Sequence, residues 1–209
     1  MHIKKITIKE QAYNIIKNDI LSGKYKLGEK INIDNLSRQL KISNSPIREA
    51  LISLEKEGLV VNTPNTGTRV IELSEELIME ITQSVYALLS GGFELCVIYN
   101  TTDLLNEQME NALKIQMELF EAIKYHEFVK ASIDFDRCFL TATNNERLVS
   151  IYDGLYGIFH LVVIYEHEHK SFNREKNINE HKDILNAIKH SSIQEIKKLI
   201  YKHFDKHFE

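Results

Sequence analysis

Apolar residues recur every three or four positions over most of this chain, and that spacing is typical of amphipathic helices. It first predicts helices over residues 8–21 and 33–40, then a third that begins at Ser43 or Ser45 and ends near Gly58. Two short runs, LVVN and TRVIEL, predict strands around a tight turn at residues 63–67. Beyond residue 72 only helical spacing remains, with helices predicted over residues 75–99, 102–123, 126–143, 146–168, 176–190 and 193–208.

This order of elements predicts a mainly α protein with two domains. Three helices and a two-stranded wing within residues 1–72 are the pattern of a winged helix-turn-helix. Residues 73–209 are predicted to form an all-α helical bundle. Asp34 is the expected N-cap of the second helix and Ser74 that of the fourth, while Gly91-Gly92 is a candidate kink.

Charge separates the two predicted domains. Residues 1–70 hold 12 lysines and arginines against 7 acidic residues, a net charge of +5, whereas the remainder carries −9. This asymmetry favours a polyanionic partner for the first domain. Two cysteines exclude a disulfide framework or a thiolate zinc site, and they favour a reducing cytoplasm. The start of the chain has no apolar stretch suited to a signal peptide, and the longest apolar run, GIFHLVVIY, is too short to span a bilayer, so no membrane partner is expected.

The third helix carries the groups expected of a DNA-reading helix. Such a helix enters the major groove N-terminus first, so its first turn should hold short hydrogen-bonding side chains and a long basic one. Asn44, Ser45 and Arg48 meet that requirement. Arg38, Lys41 and Arg69 are candidates for phosphate contacts. The alternative is that Ser43 and Ser45 are ordinary helix caps and Arg48 a solvated charge.

These segments resemble the GntR family of bacterial transcription regulators. The resemblance rests on GKYKLGEKI, NLSRQLKISNSPIREALISLEKEGLV and the wing NTGTRV. It implies a cytoplasmic, homodimeric regulator that binds a palindromic operator with half-sites about one helical turn apart. The residues it implies for DNA binding are Arg38, Lys41, Ser43, Asn44, Ser45, Pro46, Arg48, Thr66, Gly67 and Arg69.

The chain departs from the family pattern at three of its positions. Leu27 stands where proline is usual, which is a minor loss of turn stiffness. Thr66 stands where a basic residue is common, and this predicts a wing that binds the minor groove weakly. Asn44 stands where the family has an arginine that helps to read guanine. Since asparagine pairs with adenine, we expect the operator to prefer adenine at the half-site position that Asn44 reads. Arg48 is expected to read a guanine, as in the family.

The second half resembles the FCD subfamily of these regulators, in its short six-helix form. The matching stretches are FVKASIDFDRCFLTATNNERL and NEHKDILNAIKHSSIQEIKKLIYKHF. The resemblance implies an effector-binding and dimerisation domain, and a divalent metal held by one aspartate and three histidines. Ser132 stands at the aspartate position, a lost ligand, and Asp136 replaces the first histidine; His181 and His203 match the other two.

The histidine pair also follows from the predicted hairpin of the last two helices. His181 and His203 each lie 11 residues from Ser192 in the connecting turn, roughly 16 Å along each helix. Residues equidistant from such a turn lie side by side. With Asp136 they form a donor set suited to Zn²⁺, Ni²⁺, Mn²⁺ or Fe²⁺. The alternative is that these are surface or satisfied core histidines.

The resemblance further implies a pocket for a small carboxylate on the metal. Tyr86 stands where an arginine is usual, and Ser90 replaces a usual glutamate. This change favours an effector that is less acidic, larger or more apolar than a short organic acid. The candidate pocket residues are Tyr86, Phe93, Tyr156 and His160, although Tyr86 and Phe93 suit an aromatic core equally well.

An enzyme is not expected. The sequence has no nucleophile elbow, phosphate loop or HExxH motif. Glu180 points about 100° away from its neighbour His181 on a helix, so it is a poor general base for a shared ion. We therefore expect a ligand-controlled repressor. The alternatives are a regulator that is independent of ligand or responds to metal alone, and a metal-dependent hydrolase fused to a DNA-binding domain.

Overall fold

The computed structural model describes residues 6–64, 66–169 and 173–204. The chain divides into two compact units, Met1–Leu73 and Ser74–Glu209. The described elements of the first unit are α1 (Ile8–Leu21), α2 (Ile33–Leu40), α3 (Asn44–Lys56), β1 (Val60–Thr63) and β2 (Gly67–Val70). Those of the second are α4 (Glu75–Ile98), α5 (Thr102–Glu121), α6 (Tyr125–Thr141), α7 (Glu146–His169), α8 (Arg174–Ile188) and α9 (Ile193–Phe204).

The first unit is a winged helix-turn-helix, as the sequence pattern predicts. Helices α1 and α3 pack together through fully buried aliphatic side chains, including Ile16, Ile47 and Leu54. Strands β1 and β2 pair antiparallel, with Val60 opposite Val70. Asn65, in the predicted turn of the wing, lies outside the described residues.

The N-cap of α2 differs from the prediction. Asn32 holds the cap position in an extended conformation, and its side chain accepts a hydrogen bond from the backbone N–H of Asn35. Asp34 instead lies in the first turn, where its charge suits the positive end of the helix dipole. The predicted cap of α4 is confirmed, because the Ser74 hydroxyl accepts from the backbone N–H of Leu77.

The six helices described in the second unit form a bundle around an aromatic core. Phe93, Phe128, Phe135, Phe139 and Tyr152 are among its largest fully buried side chains. Helix α6 packs against α4, α5 and α7, while α8 and α9 form the predicted hairpin. The predicted end of the last helix, at residue 208, lies beyond the described residues.

Helix α4 runs without a break through Gly91-Gly92, where a kink was a candidate. Gly92 is required by close packing, because a Cβ there would lie 2.5 Å from the carbonyl oxygen of Phe139 on α6. A Cβ at Gly91 would meet nothing within 4 Å. Gly92 therefore allows the close approach of α4 to α6, whereas Gly91 has no part in that contact.

The apolar run GIFHLVVIY lies within α7, which is longer than the run. By length and composition alone α4 and α7, of 24 residues each, could cross a membrane. Both contribute buried side chains to the bundle core, among them Val85 and Phe159, and core helices of globular proteins pass the same test.

Candidate nucleic-acid interface and metal centre

The turn between α2 and α3 has a well-defined geometry. Lys41 ends α2 in a left-handed conformation, with φ of 55°, and its backbone N–H donates to the carbonyl of Ser37. The Ser37 hydroxyl donates to the carbonyl of Ile42 at 2.6 Å. These bonds across the turn hold the entry to α3 and leave the Lys41 side chain exposed.

The first turn of α3 combines short polar groups with an exposed arginine. Ser43 is the N-cap, but its hydroxyl makes no capping hydrogen bond, so the ordinary capping role considered for it is not realised. Asn44 donates from Nδ2 to Asp34 Oδ1 at 3.0 Å, a contact between α3 and α2. Ser45 donates to Glu49 Oε1 at 3.4 Å. Arg48 is exposed one turn further along.

A cleft of about 450 Å³ lies between α3, the start of α2 and the wing. It brings Arg48 of α3 together with Gly67 of the wing and with Lys30, which the sequence analysis did not select. Two of the phosphate candidates already have partners within the unit. Arg69 donates to the carbonyl of Gly28 at 3.1 Å, and Arg38 donates to the side chain of Asn35.

Three residues of the second unit form a possible metal site. Asp136 on α6, His181 on α8 and His203 on α9 offer ligand atoms that all lie within 4.8 Å of one another. The rings of the two histidines lie 4.9 Å apart between centroids, so the hairpin brings them side by side. His181 Nε2 lies 3.9 Å from Asp136 Oδ1.

The electrostatics of these three residues suit a cation. Asp136 Oδ1 and His181 Nε2 are buried, and neither has a hydrogen-bond partner in the described part of the chain. Burial raises the pKa of Asp136 to about 7 and lowers that of His181 well below its usual value. A bound cation would favour the ionised carboxylate and the neutral imidazole, which are the ligand forms.

Each histidine is held through its Nδ1 by a residue that the sequence analysis did not assign to the site. His181 Nδ1 lies 2.8 Å from Gln116 Oε1 of α5, and His203 Nδ1 lies 2.8 Å from Glu180 Oε2. Glu180, which was expected to point away from its neighbour His181, contacts the other histidine across the hairpin. Its pKa is lowered, because the contacts with His203 and Lys176 outweigh the opposite effect of burial. Such partners orient the imidazoles of metal sites and leave Nε2 for the ion.

Ser132, at the lost ligand position, faces a neighbour rather than the possible ion. Its buried hydroxyl donates to Asn177 Oδ1 on α8 at 3.0 Å. Gln116 donates to the same oxygen at 2.7 Å. Gln116 follows Met109 and Leu113 at helical spacing on the buried face of α5, and that position could have identified it.

The ring contacts of the four candidate pocket residues fall at three separate places in the bundle. Tyr86 packs edge-on against Tyr201 of α9, while Phe93 is a core residue that packs against Phe139 of α6. Tyr156 and His160 lie on one face of α7, with ring centroids 6.0 Å apart.

His160 is buried, and neither of its ring nitrogens has a hydrogen-bond partner in the described residues. Burial, with smaller effects from the charges of His126 and Lys130, lowers its pKa to about 4. It is therefore neutral near pH 7.

The chain matches two sequence families, one for each unit. Residues 8–70 match the family described as bacterial regulatory proteins, gntR family, and residues 87–206 match the FCD domain. An uncharacterized HTH-type transcriptional regulator of Bacillus subtilis, YdhC, is 26% identical over 202 residues, which cover 93% of this chain and 87% of that protein. A probable D-xylose utilization operon transcriptional repressor of Paenarthrobacter nicotinovorans is 26% identical over 153 residues, covering 73% of this chain and 67% of that protein.

Solved structures share the fold. A putative transcriptional regulator GntR from Rhodococcus sp. RHA1 superposes with a TM-score of 0.79 at 16% identity, covering 95% of this chain and 94% of that one. The E. coli protein McbR/YncC superposes with a TM-score of 0.73 at 20% identity, covering 97% and 96% of the two chains.

Proposed function

This chain belongs to the gntR family of bacterial regulatory proteins and carries an FCD domain, and we propose that this DNA-binding transcription regulator is a cytoplasmic homodimeric repressor controlled by a small ligand. The observation that carries the proposal is the Asp136, His181 and His203 cluster, a buried donor set within a domain joined to a winged helix. The repressor named among the relatives supports the sign of regulation.

DNA recognition is assigned to the first turn of α3 and to the cleft beside it. Arg48 contacts a guanine and Asn44 an adenine or another base that presents an amino group. Lys41 and Lys30 contact phosphates, which fix the position of the domain on the duplex. Arg38 and Arg69 contribute less, because each already donates to a group within its own unit.

One divalent ion, Zn²⁺, Ni²⁺, Mn²⁺ or Fe²⁺, is assigned to the three-residue cluster. One carboxylate and two imidazoles leave coordination positions open for water or an effector. The role of this ion is to hold a ligand rather than to catalyse a reaction. The neighbouring carboxylate, Glu180, is hydrogen-bonded to His203 and paired with Lys176, so it is not placed as a general base.

The effector would complete the coordination of this ion, and its binding would change the affinity of the protein for the operator. With Tyr86 at the usual arginine position, the favoured ligand is less acidic or more apolar than a short organic acid. Binding would alter the spacing or mobility of the two winged helices in the dimer. A typical coupling free energy of about 1–3 kcal/mol corresponds to a change in DNA affinity of about 5- to 150-fold.

The apolar surfaces of α4 and α7 support the homodimer. In each helix only 39% of the most apolar 18-residue stretch is buried inside one chain. Exposed side chains on these helices include Ile98 and Ile151, at 65% and 56%. Half-buried apolar side chains on the same helices, such as Leu88 and Val163, add to the surface that a second copy would cover.

Selection of binding sites from random duplex DNA tests the DNA-binding assignment. We expect a palindrome with half-sites about one helical turn apart. The absence of any sequence preference over bulk competitor at modest salt would contradict the regulatory function.

Fluorescence anisotropy on the selected operator tests the effector site. After chelation, each candidate ion is added with a panel of small molecules that runs from short carboxylic acids to branched acids and to their neutral amides. A change in DNA affinity is expected for the wild type and for Asp134→Ala, a neighbour on α6, but not for Asp136→Ala. An affinity that no pair of ion and small molecule changes would contradict ligand control.

A further inference from the structure

A buried chain of polar side chains connects α5, α6 and α8 behind His181. Asn177 Oδ1 accepts hydrogen bonds from the Ser132 hydroxyl at 3.0 Å and from Gln116 Nε2 at 2.7 Å. Gln116 Oε1 lies 2.8 Å from His181 Nδ1. These four residues are at most 5% exposed, so water does not compete for the bonds.

We infer that Gln116, held by Asn177 and Ser132, is a positioning residue that keeps the proton of His181 on Nδ1 and directs the Nε2 lone pair at the metal site. The consequence for metal binding rests on the proposed function. The hydrogen bonds themselves lie outside the three candidate ligands.

The direction of the chain follows from what each group can donate. An amide oxygen has two lone pairs, so Asn177 Oδ1 can accept from both Ser132 and Gln116. Gln116 then presents its NH₂ group to Asn177 and its carbonyl oxygen to His181. Since a carbonyl oxygen only accepts, His181 Nδ1 must carry the hydrogen. With both amides reversed, the Ser132 hydroxyl would accept from Asn177, and its own hydrogen would lose the acceptor that Asn177 Oδ1 now provides.

The tautomer of the neutral imidazole decides whether His181 can bind a cation. With the hydrogen on Nδ1, Nε2 has a lone pair and lies 3.9 Å from Asp136 Oδ1. With the hydrogen on Nε2, that atom would have no free lone pair and could not bind an ion. Ser132 stands at a position where the related domains have a metal ligand. Here it acts on the ion only indirectly, because its hydroxyl bonds to Asn177, which holds Gln116 against His181. Partners of this kind typically change metal affinity 10- to 100-fold.

The tautomer of His181 is measured directly in the wild type by ¹⁵N NMR of the imidazole nitrogens, in metal-free protein without a histidine tag. His181→Gln assigns the signals. We expect His181 to carry its hydrogen on Nδ1. This measurement needs neither a bound ion nor a destabilised variant, and a hydrogen found on Nε2 would overturn the inference.

Zn²⁺ affinity, measured by competition with a chromophoric chelator, tests the consequence. Gln116→Met keeps the side-chain volume and removes both hydrogen bonds, so we expect binding to weaken 10- to 100-fold. Gln108→Met is the matched control: it lies on the same helix, and its Oε1 accepts from Thr141, away from His181. We expect its affinity to stay within about twofold of the wild type. Ser132→Ala should weaken binding less than Gln116→Met, because Gln116 keeps its bond to Asn177.

Two results separate the positioning role from the metal site itself. If the Nδ1 hydrogen is found but Gln116→Met binds Zn²⁺ as tightly as Gln108→Met, Gln116 does not position a ligand and the inference is wrong. If the wild type binds none of the four ions, the proposed metal function fails. The NMR result then still decides whether the buried amides fix His181.

Discussion

Replacing Gly92 by alanine tests how closely α4 approaches α6. The added Cβ would lie 2.5 Å from the carbonyl oxygen of Phe139 and 3.1 Å from its carbonyl carbon. Both distances are about 0.5–1 Å below an ordinary van der Waals contact. The obstacle is backbone inside a helix, so it cannot rotate away, and α4 and α6 would have to separate.

The magnitude follows from two opposing effects. Overpacking of this kind costs about 1–3 kcal/mol, and a rigid backbone neighbour favours the upper end. Alanine recovers about 1 kcal/mol of helix propensity over glycine. We therefore expect Gly92→Ala to lower the free energy of unfolding by about 2 kcal/mol. Gly91→Ala meets nothing within 4 Å and should raise it by up to about 1 kcal/mol.

Urea unfolding followed by circular dichroism compares the two variants. A difference of about 3 kcal/mol, at an m-value of about 2 kcal/mol per M, separates the midpoints by about 1.5 M. Measuring at two protein concentrations removes any contribution from changed self-association. If Gly92→Ala unfolds at the same or higher urea than Gly91→Ala, the close approach of α4 to α6 is wrong.

Three further predictions concern pH and DNA. The folded pKa of His160, about 4, lies below its unfolded value of about 6.5, so its contribution to stability is full above about pH 6.5 and is lost towards pH 4. In urea titrations at pH 8 and pH 5, the wild type should lose about 2 kcal/mol more than His160→Leu, with exposed His190→Gln as control; equal losses would contradict the buried neutral state. Lys41 has a left-handed backbone conformation that glycine adopts without strain, so Lys41→Gly should raise the free energy of unfolding by up to about 1 kcal/mol. The same change should weaken binding equally to all operators and reduce the slope of log affinity against log salt concentration by about one, which anisotropy at several salt concentrations would check. Arg48→Ala should cost about 1–3 kcal/mol of binding and relax selectivity at one base pair in a repeated selection; an unchanged profile would remove Arg48 from the recognition set.

Sequence reasoning succeeded where a local signal was sufficient. Gly58 lies near the end of α3 and Ser74 caps α4, and the two strands of the wing follow from two short β-prone runs around a tight turn. The equal distance of His181 and His203 from Ser192 needs only the geometry of an antiparallel hairpin, so that pair could be found without the fold.

The rest depended on packing between distant segments. Gln116 and His181 are 65 positions apart, and their contact requires the register of α5 against α8. Asn32 and Asp34 are equally good capping residues by type, and the backbone conformation before α2 decided between them. The expectation for Glu180 considered only its neighbour His181, whereas its hydrogen bond to His203 crosses to another helix.

The bond between Asn44 and Asp34 has a consequence for how this regulator can evolve. An ionised carboxylate only accepts, so it fixes the Asn44 amide with Nδ2 inward and the carbonyl oxygen outward. An arginine introduced alone at position 44 would meet that carboxylate and form an ion pair in competition with guanine. With Asn44 in its proposed role at the operator, we expect a change of base preference there to require changes at positions 34 and 44 together, because the two side chains are hydrogen-bonded.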